Sequence, residues 1–262
     1  MERERLLLYV SAMRSLVFVL ALLAASAVTA ADFTGHEIFI PVVSRVPGAF
    51  NSEWRTDLVI SNRSESEASQ VVVIYEPAGS PAPVQVSFQI PALATVTVAD
   101  AVLELFDKQE GYGTVWVSPA NGAVTISAYA RIYNAGNPVG EFGQIMQGLP
   151  IDQLTKTAWL NGAIGIRDNR TNIGIGNPNS TAATFSLTWY DKNGVQKGTL
   201  TNLKIQPWEV QLINNVFSHF GVAPDEGMTI KVTADVAIYA YASVVRNDTG
   251  DAYTVIGNGP FP

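Results

Sequence analysis

The sequence predicts an all-β protein made of two tandem immunoglobulin-like β-sandwiches, each with one short crossover helix. Three observations predict it. One pattern is written twice: Arg55-Thr56-Asp57-Leu58-Val59-Ile60-Ser61-Asn62 returns as Arg170-Thr171-Asn172-Ile173-Gly174-Ile175-Gly176-Asn177 at an offset of 115. Asp100, Val102 and Phe106 return as Asn214, Val216 and Phe220 at 114, and residues 124–131 return as 236–243 at 112. Within each copy apolar side chains alternate with polar ones, as on half-buried strands, and turn residues punctuate the runs.

In chain order, the first element is an address. Arg3, Arg5 and Arg14 precede an apolar run at 16–25, and small residues follow, ending Val28-Thr29-Ala30. This is the order of a secretory signal peptide, and the run is about half the ~20 residues that span a bilayer. Residues 1–30 are therefore expected to be cleaved, leaving a first module over 31–148, a linker over 149–156 and a second module over 157–262. The exported chain then carries 13 basic and 21 acidic residues, a net charge of −8.

In the first module strands are expected at 70–75, 84–90, 95–98, 114–117 and 124–133, besides the Arg55 strand. The second is expected to hold them at 184–190, 198–205, 210–213, 228–233 and 236–245, besides the Arg170 strand. Asn193-Gly194 after Trp189-Tyr190 marks a hairpin, since both residues tolerate positive φ. One helical turn interrupts each module: Asp100 is expected to cap 101–107, and Asn214 or Asn215 to cap 216–220. About seven strands in about 110 residues fit a β-sandwich.

Composition excludes several functions. With no cysteine, disulfides, thiol catalysis and cysteine zinc sites are ruled out, so stability rests on packing. The acidic balance argues against nucleic-acid binding, which needs a clustered basic face. His36 and His219 are the only histidines, neither at metal-ligand spacing, and no Gly-x-Ser-x-Gly elbow exists. No catalytic residues, cofactor or metal are expected, and the protein is read as a non-enzyme. The weak exceptions are Asp248 and Asp251, oxygen ligands on a loop of the kind that holds calcium.

Longer signatures carry a resemblance. They include Trp54-Arg55-Thr56-Asp57-Leu58, Ala130-Arg131-Ile132-Tyr133-Asn134, Arg170-Thr171-Asn172-Ile173-Gly174 and the 240–251 segment ending Asn247-Asp248-Thr249-Gly250-Asp251. Together they resemble the tandem immunoglobulin-like modules of secreted proteins from environmental bacteria. The resemblance implies an exported, non-catalytic β-sandwich pair, with no activity attached to the group.

The remaining candidates concern surfaces. Trp116, Tyr129, Arg131, Tyr239 and Tyr241 are candidate binding residues, because aromatics sharing one sheet face stack on sugar rings or bury at an interface. Glu37, Phe39, Ile40 and Val42 lie on an apolar segment beside the cleavage site. It is expected to pair in cis as a first strand; in trans, it would extend a neighbour's sheet and build a filament. Arg55 and Arg170 are expected in salt bridges, Arg55 with Asp57 or Glu141, the functional alternative being partner docking. The expected function is a secreted structural or adhesive protein, extracellular or at the cell surface, with the periplasm as alternative. Its partners are a protein surface or further copies, with glycan binding as the second reading; no nucleic acid and no membrane span in the exported chain are expected.

Overall fold

The structure is a computed structural model whose described residues are 33–79, 82–120, 122 and 124–257. The expected signal peptide lies outside them. The described residues form an all-β protein with two antiparallel sheet bodies and two short helices, within one compact unit that begins at Phe33.

The first body contains β1 (Ile38–Pro47), β2 (Glu53–Asn62), β3 (Ser69–Pro77), β4 (Val84–Ile90) and β5 (Thr95–Val98). Helix α1 (Ala101–Glu104) follows, then β6 (Gly111–Pro119), β7 (Ile126–Asn134), β8 (Phe142–Gln147) and β9 (Leu149–Pro150). The strand order is β4-β3-β6-β1-β2-β7-β8, with β5 on β2 and β9 on β1. The second body contains β10 (Thr155–Ile164), β11 (Asn169–Gly176), β12 (Ala183–Tyr190), β13 (Gln196–Ile205), β14 (Val210–Ile213), α2 (Val216–Phe220), β15 (Glu226–Arg246) and β16 (Ala252–Ile256). Its order is β13-β12-β15-β11-β14, with β10 and β16 on β15.

Alternation decides which side chains fill each core. Val71, Val73 and Tyr75 point inward from β3, as do Phe185, Leu187 and Trp189 from β12. The helical segments close the cores with stacked rings: Phe106, in the turn after α1, lies 4.8 Å from Tyr75, and Phe220 on α2 lies 4.1 Å from Trp189. At about 25 cal/mol per Å² of apolar area, such burial is the main stabilising term in a chain without disulfides.

The doubled motif turns out to be scaffold. Thr56 and Thr171 are fully buried; each hydroxyl bonds both the N–H and the C=O of one residue on a neighbouring segment, Ser44 and Ile164 respectively, at 2.8 Å. Asp57 accepts the N–H of Asp100 at 3.1 Å, and Asn172 accepts that of Asn215 at 2.9 Å. Asn62 and Asn177 are buried and tie carbonyls of the β4–β5 and β13–β14 turns.

Several expectations need correction. Asp100 corresponds to Asn215, not Asn214: both precede a helix with left-handed φ, 42° and 45°. Asn215 caps α2 by accepting from Ser218 N–H, whereas the Asp100 carboxylate makes no cap bond. It faces the Arg45 guanidinium at 2.9 Å instead, a charge-assisted bond stronger than a neutral cap. The two strands expected at 228–233 and 236–245 are one, β15, whose first half pairs with β12 and second half with β11. In the first body β6 and β7 hold these places, broken by the turn at Pro119-Ala120. That turn is what shortens the repeat offset from 115 to 112.

The apolar N-terminal segment is no free edge. Residues 38–40 pair with β6 on one side, and Ile38 and Phe39 pair with β9 on the other. Phe39 and Ile40 are 0% exposed and Val42 5%, with Glu37 alone of the four in solvent. The strand therefore pairs in cis, and the self-association role suggested for Glu37, Phe39, Ile40 and Val42 lapses. An apolar run lacking alternation marks a strand covered on both faces. Pro41 is accommodated at the register shift between Ile40 and Val43.

Candidate functional site

The junction between the two bodies gathers three of the five candidate binding residues, Trp116, Tyr239 and Tyr241. Trp116 on β6 meets Phe39 edge-on at 5.3 Å and Trp208 at 5.1 Å. Phe39 lies 6.3 Å from Tyr239, and Tyr239 6.3 Å from Tyr241. This aromatic seam closes because glycines stand opposite the tyrosines. In the β11–β15 register Gly174 faces Tyr241 and Gly176 faces Tyr239; a Cβ on Gly174 would lie 2.2 Å from the Tyr241 ring, and one on Gly176 2.8 Å from Phe39. The Tyr239 hydroxyl donates to Gln147 C=O at 2.6 Å, and Thr114 Oγ1 donates to Trp208 C=O at 2.7 Å.

The structure thus joins Trp116, Tyr239 and Tyr241, and encloses the two tyrosines at 1% and 4% exposure. They have no face free for a ligand, because the first body already occupies it. Tyr129 and Arg131 lie on the outer face of β7, beside Asp57. Arg131 bridges Asp57 at 3.0 Å and Glu141 at 2.8 Å while lying over the Tyr133 ring. These two carboxylates, expected as partners of Arg55, are therefore taken; Arg55 pairs with Glu53 at 3.0 Å and reaches Asp100 at 3.7 Å.

Burial, and secondarily Tyr112, push the Tyr75 hydroxyl from 10.0 up to about 12. Burial likewise pushes up Tyr239 and Tyr241. A folded-state pKa above the unfolded one contributes stability that is complete below the unfolded pKa and lost as pH rises through the folded one. Stability should therefore hold to about pH 10 and fall through about pH 12. Simultaneous tyrosinate absorbance and circular dichroism check this: the buried hydroxyls should ionise only as the sheet signal disappears.

At the Arg170 end of β11 lies a cleft of about 160 Å³ lined by residues 49–52, 134 and 136–138 of the first body and by Arg170 and residues 247–250 of the second. Phe50 and Asn51 both adopt left-handed φ, 58° and 57°, holding the Phe50 ring 69% exposed and 5.6 Å from the Arg170 guanidinium. Arg170 donates to Asn247 Oδ1, and the turns are tied across the junction by Asn137 Nδ2 donating to Thr249 C=O at 2.9 Å. Burial pushes the Arg170 pKa down. The calcium candidates sit at this loop. Both Asp248 oxygens accept from Arg246, at 2.7 and 3.0 Å, and the Asp251 main chain closes a turn with Arg246 and Thr249. Among the described residues, no three His, Cys, Asp or Glu side chains gather as a metal site, and no helix is long and apolar enough to cross a membrane.

Arg170 and Asp248 line this cleft and were singled out from the sequence, as a docking arginine and a calcium candidate, but nothing there joined them to residues 49–52. A further signal is a substitution pattern: the carboxylates Asp57 and Asp100 of the first body have the amides Asn172 and Asn215 as counterparts in the second.

No protein-family model matches the chain, and no curated protein matches it. Among solved structures, Thermotoga maritima 1070 is 16% identical, with a TM-score of 0.34 over 40% of this chain and 93% of its own. The Anabaena sensory rhodopsin transducer is 14% identical, with 0.26 over 32% and 90%. A Parabacteroides distasonis protein described as secreted is 7% identical, with 0.20 over 89% and 82%. Similarity at this level defines no family for the chain.

Proposed function

We propose that the protein is an exported, non-enzymatic structural or adhesive protein that works by surface complementarity. The observation that carries this reading is the aromatic seam, which locks two sheet bodies at a fixed spacing. The doubled motif serves the scaffold, so variation is left to outer faces and edges. Recovery from the surface or extracellular-matrix fraction of native cells, in amounts comparable to envelope proteins, is the expected result. Recovery from the cytoplasm would refute it, as would turnover of a substrate by the purified chain.

Self-association in this reading uses a sheet edge. β4 and β13 each end a hydrogen-bonded order, and an open edge templates pairing with another chain unless charges guard it. β13 carries Lys197 and Lys204, whereas β4 carries no charged residue. Lysines at the exposed Gln85 and Gln89 should convert any oligomer to monomer without altering Tm, as read by light scattering after size exclusion. An oligomer indifferent to both substitutions would exclude the β4 edge.

Glycan binding is the second reading. The cleft favours it, with an exposed aromatic ring beside amide and hydroxyl groups.

A further inference from the structure

We propose that the junction cleft binds a uronate residue of an acidic polysaccharide, its carboxylate on Arg170 and its ring face against Phe50. It names the ligand class for the glycan reading of this cleft, on which it rests, and stands without the structural or adhesive one.

Charge sets the two repeat arginines apart. Arg55 is neutralised by Glu53 and reaches Asp100. Arg170, at the same place in the repeat, has no carboxylate within salt-bridge distance among the described residues; its bond is to the Asn247 amide. A partly buried guanidinium without a counter-charge is costly, and its planar fork matches a carboxylate in two parallel bonds. Asp248, the carboxylate among the lining residues, has both oxygens on Arg246.

The cleft also has the shape for a sugar ring. A cleft of about 160 Å³ falls below the roughly 300–1,000 Å³ that accept drug-sized ligands, so it suits one small ring. Two consecutive left-handed residues carry Phe50 into solvent beside Arg170. Non-glycine residues held there cost free energy and cluster at ligand clamps. An exposed aromatic face stacks on the C–H face of a pyranose.

The lining is polar around the ring site. Asn51, Ser52, Asn137, Asn247 and Thr249 line the cleft with amides and hydroxyls; Ser52, Asn137 and Thr249 already hold bonds within the loops, which leaves the Asn51 amide and Asn247 Nδ2 to meet ring hydroxyls. An acidic peptide side chain offers the carboxylate but leaves these groups and the Phe50 face unused.

The test is isothermal titration calorimetry of the exported chain with trigalacturonate, triguluronate and a hyaluronan tetrasaccharide. Galactotriose serves as the neutral control and triglutamate as the peptide control. At least one acidic sugar should bind saturably, and galactotriose and triglutamate at least tenfold more weakly. Phe50→Ala and Arg170→Lys should each weaken binding at least tenfold. The first removes a side chain that is 69% exposed, so an unchanged Tm separates lost binding from lost fold. Absence of binding by all three acidic sugars would overturn the proposal. So would galactotriose binding as tightly, triglutamate binding more tightly, or affinity unaffected by Phe50→Ala.

Discussion

Asn177→Ala is expected to destabilise the protein by about 4 kcal/mol, read as a lowered urea midpoint with little change in slope. The amide is fully buried. Its nitrogen donates to Thr181 C=O at 2.9 Å and Gln206 C=O at 3.0 Å, with a longer bond to Ile205 C=O at 3.5 Å. Its oxygen accepts from the Asn179 N–H at 3.0 Å and side-chain amide at 2.8 Å. Alanine leaves the Ile205 carbonyl buried and unpaired and strips the half-buried Thr181, Gln206 and Asn179 groups of their partner, at up to about 1–3 kcal/mol each where water does not enter. Asn177→Asp should be worse, since it turns a carboxylate oxygen toward the carbonyls. Asn62→Ala should cost a similar amount, because Asn62 donates to Glu67, Ile90 and Pro91 carbonyls in the same manner. A loss below about 1 kcal/mol at either position would show that the turns hold themselves.

This scaffold role explains how much of the fold was legible in the sequence. Alternation in Val71-Val72-Val73-Ile74-Tyr75 and in Phe185-Ser186-Leu187-Thr188-Trp189 reports burial on one face directly, so these strands and their inward sides were readable. Drift in the repeat offset was also readable, but its cause needed the structure. No Gly or Pro lies between Thr233 and Val236 to stop β15, whereas Pro119 and Gly122 flank the break between β6 and β7.

The site was less legible, for physical reasons. Tyr239 and Tyr241 share a strand face in any reading. Whether that face meets solvent or a second body depends on what stands opposite, and only the pairing with Gly176 and Gly174 shows that space was left. A left-handed φ at Phe50 has no mark in sequence, since phenylalanine is not a residue that favours it. Isolation of Arg170 from carboxylates depends on segments from both halves of the chain. The exchange of Asp57 and Asp100 for Asn172 and Asn215 hinted at it without locating the cleft.

Gly174→Val and Gly176→Val should loosen the junction, each costing about 3 kcal/mol through overpacking. At Gly174 the new Cβ falls on the Tyr241 ring, which cannot turn away because its surroundings are filled. At Gly176 it meets Phe39 and Pro41 of a strand buried on both faces. In either case the bodies must shift apart, while each core retains its own inward-facing residues. Small-angle scattering should therefore show a larger radius of gyration, and Trp208 emission should move to longer wavelength as Trp116 recedes. The far-ultraviolet signal of the sheets should persist at moderate temperature. Val59 and Ser61, the counterparts in the first body, already carry side chains on the equivalent face, so exchanging Val59 for isoleucine should cost less than 1 kcal/mol. Equal sensitivity at the two sets of positions would mean that the glycines serve strand geometry in general. Sensitivity confined to Gly174 and Gly176 would mean that they serve the docking of one body on the other.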